Sequence, residues 1–452
     1  FLVSMGNQVL FRAYDRTNGA ELWSTDGTAG GTRILRDIEP GTSGSITGRP
    51  VVVGARAVFS AAQSAVGSEL WGTDGTTAGT RLVVDIAPGS PGSAPEEIVG
   101  VGNSVYFAAS TFSAGNELWR SDGTAAGTMM VRDLEPGPAS SRPSELIAAA
   151  GLVVFSARDS AGREPWVSAG SAVSTRRLRD VLGPASSSLG VNPRLEPETR
   201  IEHEGSALFE AHDGVHGIEL WRSDGTAAGT RLVSDIAVGP VGSEPRDLHS
   251  FGRIALFSAA SLQGERELWR TDGTAFGTRI VRDIEPGPRS SDPTDFVSFG
   301  DHVYFSAHES SHGRELWRTD GTAAGTTLVV DLVPGKSGSR PESLVVAGTL
   351  LYFAARTGTG QVHALWRSDG TVAGTRSVTG PGYFGSLTAW GDRLLFSARS
   401  PAGGLEPWIS DGTTAGTRRI RDVVPGRVGS NPHDFVPMGR QAVFLAYTPA
   451  TG

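Results

Sequence analysis

The sequence predicts an all-β fold, namely a large single β-propeller of nine or ten four-stranded blades. The first observation is a repeated phrase, Glu-Leu-Trp or a close variant, which recurs nine times in 452 residues, most often at a spacing of 48. Periods of this length, each holding several short strands, are typical of propeller blades. The second is the content of Gly 61 and Pro 26, which disfavours helices because both residues destabilise helical backbone. An open superhelical array of the same repeats is the alternative.

The repeated phrase also predicts the domain organisation. We expect one domain over residues 1–452, built of nine repeats of about 48 residues and a C-terminal half repeat that begins at Asp434. Its copies begin at Glu21, Glu69, Glu117, Glu164, Glu219, Glu267, Glu315, Ala364 and Glu406.

Residues 296–335 show how one repeat divides into strands. Short apolar or alternating runs at 296–299, 302–307, 315–319 and 327–332 are separated by turn residues, which predicts four antiparallel strands, A to D. Residues 308–313 are predicted to be the loop between strands B and C. In a propeller, the A–B and C–D turns lie at one end of a blade, and the B–C loops and D-to-A crossings lie at the other.

Charge and composition exclude several classes of protein. The net charge of −8 lacks the basic surface that phosphate neutralisation requires, so we expect no nucleic-acid partner. No apolar run reaches the roughly 18 residues of a membrane span. The absence of cysteine excludes disulfides and thiolate sites. A first residue other than Met, Phe1, predicts a removed leader, and the final half repeat leaves open whether the chain belongs to a longer protein.

A longer motif surrounds each tryptophan. Asp26-Gly27-Thr28 follows Glu21-Leu22-Trp23, and the chain therefore resembles the bacterial ELWxxDGT repeat family over essentially its whole length. The resemblance implies a secreted or cell-surface repeat protein, so the expected location is extracellular or cell-surface, with the periplasm as the alternative. The fourth repeat departs from the motif with Ala169-Gly170-Ser171, and the eighth has Ala364 in place of Glu. The remaining Asp-Gly-Thr copies begin at Asp74, Asp122, Asp224, Asp272, Asp320, Asp369 and Asp411.

The recurring residues have structural explanations. In Asp-Gly-Thr, Asp accepts hydrogen bonds from amides two residues on, and Gly takes the positive φ of a tight turn. Ca²⁺ is the alternative use of these carboxylates, although we expect no cofactor. The tryptophans are predicted to pack between blades, with stacking of sugars on exposed rings as the alternative. Aspartates such as Asp85 and Asp133, which end strand D, are predicted to cap the crossing, with cation binding as the alternative.

The sequence contains no recognisable catalytic set, so we predict no catalytic residues. Gly-x-Ser-x-Gly, His-Glu-x-x-His and phosphate-loop motifs are all absent from it. His212 and His216 form a His-x₃-His pair, as do His308 and His312. Imidazoles in such pairs could ligate a metal, and solvated loop histidines are the alternative explanation.

The B–C loops are predicted to bind a partner. Each blade needs the same connection between strands B and C, yet these loops differ from repeat to repeat. The Asp-Gly-Thr turns, in contrast, hardly change. Variable loops on a rigid scaffold are the usual place of recognition. We therefore predict a binding or scaffold module for a protein or glycan partner, with a hydrolase or lyase at the channel mouth as the alternative. The candidate partner-binding residues are Arg16, Phe112, His212, His216, Gln263, Arg266, His308, His312 and His363.

Overall fold

A computed structural model describes residues 1–149, 151–160, 162–178, 200–358, 360, 362–379, 382–399 and 403–449. In these ranges the regular structure is entirely β, with nine four-stranded antiparallel sheets and one two-stranded sheet. The predicted all-β propeller fold of four-stranded blades is confirmed. We number the four-stranded sheets as blades 1 to 9 in chain order. No helix within the described ranges is long and apolar enough to cross a membrane.

The first two strands of each sheet form an antiparallel hairpin. The A strands are β1 (Leu2–Met5), β5 (Val51–Val53), β9 (Glu96–Val101), β13 (Ser144–Ala149), β17 (Arg200–His203), β21 (Arg246–Phe251), β25 (Thr294–Phe299), β29 (Glu342–Ala347), β33 (Phe384–Trp390) and β37 (His433–Met438). The B strands are β2 (Gln8–Asp15), β6 (Arg56–Gln63), β10 (Ser104–Thr111), β14 (Leu152–Asp159), β18 (Ser206–His212), β22 (Ile254–Ala260), β26 (His302–Glu309), β30 (Leu350–Arg356), β34 (Arg393–Arg399) and β38 (Gln441–Leu445).

The last two strands complete blades 1 to 9. The C strands are β3 (Gly19–Thr25), β7 (Gly67–Thr73), β11 (Gly115–Ser121), β15 (Gly162–Ser168), β19 (Ile218–Ser223), β23 (Arg266–Thr271), β27 (Gly313–Thr319), β31 (His363–Ser368) and β35 (Leu405–Ser410). The D strands are β4 (Arg33–Arg36), β8 (Arg81–Val84), β12 (Met129–Arg132), β16 (Arg176–Arg177), β20 (Arg231–Ser234), β24 (Arg279–Arg282), β28 (Thr327–Val330), β32 (Arg376–Ser377) and β36 (Arg418–Arg419).

The pairing of strands B and C follows one register in all nine blades. In blade 7, Phe305 of β26 lies opposite Trp317 of β27, and the equivalent Phe–Trp pair recurs in each blade. Aromatic cross-strand pairs of this kind stabilise a sheet and fix its register. The B–C connection in blade 7 is shorter than predicted, because β26 extends to Glu309 and β27 begins at Gly313.

The apolar core lies between neighbouring blades. Trp71 packs in one cluster with Leu10 and Leu22 of the preceding blade, and Trp317 packs with Leu256 and Leu268. The predicted inter-blade position of the tryptophans is confirmed at these sites. The A strands of successive blades also contact each other, for example β5 with β9 and β25 with β29.

The Asp-Gly-Thr turn joins strands C and D. The Thr28 amide and hydroxyl both donate to Asp26 Oδ1, at 2.9 and 2.7 Å, and Gly27 has φ +86°. The same bonds recur at the other Asp-Gly-Thr copies, such as Asp320 with Thr322. These bonds lower the pKa of Asp26 because they stabilise its ionised form. The predicted turn chemistry is confirmed.

The chain divides into two compact units. The first comprises residues 1–235 and 239–241 and contains blades 1 to 5. The second comprises residues 236–238 and 242–452 and contains blades 6 to 9 with β37 and β38. In each unit, the blades follow one another in chain order through contacts between their A strands.

Candidate functional site

The B–C end of a blade is defined here as its B–C loop together with the neighbouring D-to-A crossings. The described loops of blades 1, 3, 5, 6 and 7 cover residues 16–18, 112–114, 213–217, 261–265 and 310–312. The C–D end carries the Asp-Gly-Thr turns. Since the B–C loops vary from blade to blade while the Asp-Gly-Thr turns hardly change, the B–C end is the candidate functional region.

A buried glutamate anchors six of the described crossings, those that follow blades 1, 2, 3, 6, 7 and 9, and sequence reasoning missed this role. The Glu of the Glu-Leu-Trp phrase accepts hydrogen bonds from the crossing that follows it. Glu267, only 2% exposed, accepts from the Ile284 and Ser291 amides, both at 2.9 Å, and from Ser291 Oγ at 2.6 Å. Equivalent bonds to the crossing serine are made by Glu21, Glu69, Glu117, Glu315 and Glu406.

Burial changes the proton affinity of four of these carboxylates. Desolvation raises the pKa of Glu267 to about 7, although its hydrogen bonds from Ser291 and Ile284 oppose the shift. Burial likewise raises the pKa values of Glu21, Glu117 and Glu315. The signal was present in the sequence, because Glu and Ser are separated by 24 residues in each case.

The aspartates that end strand D make a smaller contribution to the crossings. Asp133 Oδ2 accepts from the Gly137 amide at 3.2 Å, and Asp235 Oδ2 accepts from the Gly239 amide at 3.4 Å. The predicted capping is confirmed at these two positions. Most of the crossing amides that bond a carboxylate do so with the buried Glu.

The B–C loop of blade 5 is organised by Asp213. Its carboxylate accepts from the amides of Val215 and His216, and Oδ2 lies 2.6 Å from His216 Nδ1. This contact with Asp213 raises the pKa of His216. His212 is the last residue of β18, and its Nδ1 accepts from the Gly214 amide at 2.9 Å. Both predicted histidines therefore stabilise their own loop.

The second histidine pair is placed differently. His308 lies in β26, not in a loop, with Nδ1 3.7 Å from Glu285 Oε2. His312 lies in the turn and bonds through Nδ1 to the Glu309 carboxylate. In the described part of the chain, no three His, Asp or Glu side chains are grouped as a metal site would require. Metal binding by these residues remains a prediction.

The other predicted binding residues divide into exposed and buried ones. Arg16, Phe112 and Gln263 are exposed in their loops. Arg266, however, begins strand β23 and is buried, and its Nη1 donates to the carbonyls of Glu244 and Ser258 at 2.8 and 3.1 Å. Placing Arg266 in the loop was therefore wrong. His363 begins β31 and lies 3.7 Å from Glu342.

Exposed apolar side chains are frequent at the B–C end of both units. In unit 1, the residues of this kind are Phe112, Val215 and Val241. In unit 2, they are Val238, Leu262, Val362, Tyr383 and Val428. The C–D turns expose only Val173, Phe276 and Val372 among the described large apolar side chains. Phe112 is 79% exposed, and aromatic side chains are enriched in the contacts that proteins make with their partners.

A cleft of about 600 Å³ lies between blades 7 and 8 at the B–C end. This volume is in the range of ligand sites. Its polar lining comes from the two crossings that flank blade 7, from strand β26, and from the starts of β25, β27 and β29. The charged residues are Arg289, Arg314, Lys336, Arg340, Asp292, Asp295 and Glu342, with His308 beside them.

The charges at the floor of the cleft are partly satisfied by the fold. Arg314 Nη1 donates to the carbonyls of Asp292 and Ser306, at 2.8 and 3.1 Å, and burial lowers its pKa. Partial desolvation raises the pKa of Asp295, which accepts a hydrogen bond from the Ser343 amide. The buried hydroxyl of Ser306 has no hydrogen-bond partner among the described residues. The cleft is therefore polar and charged, and its lining includes a hydroxyl group without a hydrogen-bond partner among the described residues.

Known protein structures resemble this chain only distantly. No family model matches the sequence, and no curated protein matches it. A puromycin hydrolase S511A mutant complexed with PGG is 15% identical, with a TM-score of 0.36, and the match covers 80% of this chain and 58% of the hydrolase. One of two structurally analysed prolyl endopeptidases is 10% identical, with a TM-score of 0.40 and coverage of 83% and 49%.

A third similar structure is oligopeptidase B from Leishmania major, at 12% identity and a TM-score of 0.37, over 78% of this chain and 52% of that one. The chain thus spans about half to three fifths of the length of these peptidases. At this distance, the similarities assign no activity to it.

Proposed function

We propose that this chain is the binding or scaffold module of a secreted or cell-surface bacterial repeat protein, whose B–C end contacts a protein or glycan partner. The resemblance to ELWxxDGT repeats supports the location. The distribution of exposed apolar side chains carries the proposal, because these side chains are more frequent in the variable loops and crossings than in the Asp-Gly-Thr turns, and variable loops on a rigid scaffold are the usual place of recognition.

The B–C and C–D ends of the blades offer a matched test. The full chain and its Phe112→Asp and Leu262→Asp variants are immobilised, and material from the surface of the producing bacterium is passed over each. Phe276→Asp is the control, since Phe276 is 92% exposed in a C–D turn. We expect the first two variants to lose the bound partner and the control to retain it. Loss with Phe276→Asp alone would contradict the assignment of ends.

A hydrolase or lyase is the second candidate, and the cleft is the observation that favours it. Asp295, whose pKa is raised by desolvation, and His308 line the same cavity, and an acid and a base at one site can transfer protons. Incubation of the full chain with polysaccharides and peptides, followed by measurement of new reducing ends, unsaturated sugars and free amines, tests this. Turnover that Asp295→Asn abolishes would establish the enzyme and displace the binding module.

A further inference from the structure

We propose that the cleft between blades 7 and 8 binds an acidic sugar residue, such as a uronate, through Arg289, Lys336 and Arg340. This inference rests on the proposed function, since it specifies a ligand for the B–C end. It follows from the charge of the cleft, from the comparison of equivalent crossings and from the chemistry of the carboxylates beside the cations.

The three cations are available to a ligand. Their side chains line the cleft at exposed positions. Among the described residues, none of the three cations lies within 4 Å of a carboxylate. The carboxylate of Glu342, which also lines the cleft, instead lies 3.7 Å from His363. Arg289 makes one long contact, 3.3 Å from Nη1 to Ser310 Oγ. An anion in the cleft would therefore meet cations that no ion pair already neutralises.

Comparison of the crossings shows that the fold does not require these cations. Lys336 follows Pro334-Gly335, and the equivalent residues of the other described crossings are Thr42, Ser90, Pro138, Pro240, Pro288 and Arg427. The residues equivalent to Arg289 are Ser43, Pro91, Ala139, Val241, Ser337 and Val428. Lys336 is also the single lysine of the chain. The residues equivalent to Arg340 are Ile46, Ala94, Arg142, Glu244, Asp292 and Asn431. Among the described crossings a cation therefore recurs once at the position of Lys336 and once at that of Arg340, and only this cleft combines all three cations.

The carboxylates decide which anion fits. Asp292, Asp295 and Glu342 line the same cleft and would repel a small polyanion such as phosphate. They can, however, accept hydrogen bonds from hydroxyl groups. The cations of the lining favour a ligand with an anionic group, and the carboxylates favour a ligand with several hydroxyl groups. A uronate has both. An uncharged sugar would leave the cations without a partner.

The hydroxyl-bearing residues of the lining support the same ligand. Ser290, Ser337 and Thr294 lie in the cleft, and each can donate to or accept from a sugar hydroxyl. Ser306 adds an unpaired hydroxyl, whereas the equivalent Ser60, Ser156 and Ser397 have partners. The cavity of about 600 Å³ is large enough to hold more than a single small ion.

Calorimetric titration of the full chain tests the proposal with four probes: sodium glucuronate, glucose, inorganic phosphate and a tetragalacturonate. We expect glucuronate to bind and glucose and phosphate to bind at least about tenfold more weakly, the ratio that one lost charge-assisted hydrogen bond produces. Tighter binding of tetragalacturonate than of glucuronate would identify a polysaccharide as the source of the sugar. Equal affinity would identify the free sugar.

Lys336→Gln and Arg340→Gln should each weaken glucuronate binding about tenfold. Arg427→Gln is the matched control, because Arg427 occupies the position of Lys336 in another crossing, and it should leave binding unchanged. Absence of glucuronate binding, glucose or phosphate binding as tight as glucuronate, or an equal effect of Arg427→Gln would overturn the proposal. If glucuronate fails while Phe112→Asp still abolishes partner capture, only the ligand is wrong; if glucuronate binds while the loop variants retain the partner, the proposed function is wrong instead.

Discussion

Replacing Glu267 with glutamine should change how stability depends on pH. Glu267 is buried, and desolvation raises its pKa from an ordinary 4.5 to about 7. A carboxyl group with a higher pKa in the folded state favours folding when it is protonated. Its contribution is therefore complete below pH 4.5 and is lost as the pH rises through 7. The shift corresponds to about 3 kcal/mol, which is the expected difference between the two ends of this range.

The side chain introduced by Glu267→Gln does not titrate, so the variant lacks this contribution at every pH. The free energy of unfolding of the wild type minus that of Glu267→Gln should fall by about 3 kcal/mol between pH 4 and pH 8. A constant offset is also expected, because the introduced amide group would face the Ile284 and Ser291 amides, which are donors. An unsatisfied donor of this kind costs about 1–3 kcal/mol.

Urea unfolding, followed by tryptophan fluorescence at several pH values, measures the global difference. Hydrogen exchange of the crossing at residues 284–291 measures it locally. Glu96→Gln is the control, since Glu96 is exposed and its replacement changes the net charge equally. A stability difference that does not vary with pH would refute the raised pKa of Glu267, because the carboxyl group would then have the same pKa in the folded and unfolded states. The same slope in Glu96→Gln would attribute the effect to net charge.

Three further predictions concern a turn, the core and a loop. Gly321→Ala should lower the unfolding temperature more than Gly300→Ala, since a Cβ at Gly321 lies 2.4 Å from Ile254 Cδ1 whereas one at Gly300 meets nothing within 4 Å; equal temperatures would contradict this. Phe305→Ala should lower the free energy of unfolding by about 3–5 kcal/mol because Phe305 is fully buried, and Phe112→Ala should change it by less than about 0.5 kcal/mol; urea unfolding would show a similar loss in both if the core assignment were wrong. Asp213→Asn should lower the pKa of His216, because the Asp213 contact raises it; NMR titration showing an unchanged pKa would exclude the contact.

The blades could be predicted because the same pattern of strands and turns recurs in the repeats. The 48-residue period and the four short runs per repeat located the strands of blade 7 to within two residues at most ends. The position of Trp317 in the core followed from its recurrence, since a residue that every blade needs has a structural role. The predicted loop at 308–313 was too long because alternation in β26 continues through His308 and Glu309, whose polar side chains hide the strand.

The anchoring of the crossings could not be predicted in the same way. Both Glu267 and Asp283 precede the crossing of blade 6, and either carboxylate could cap it. The structure selects Glu267 because strand β23 directs it into the interior, where the amides of residues 284 and 291 converge on it. The 24-residue separation of Glu and Ser signals a contact, but spacing does not say which of two acids is buried.

The cleft shows why a repeat protein must be compared with itself to find its site. Arg289 and Lys336 are 47 residues apart and belong to crossings on opposite sides of blade 7. Within its own crossing, each of these residues looks like an ordinary solvent-exposed loop residue. Only the fold places both at one cavity, and the equivalent positions of the other described crossings are uncharged except for Arg427. Because equivalent repeats provide equivalent positions, the proposed ligand site depends on substitutions that coincide at one cleft.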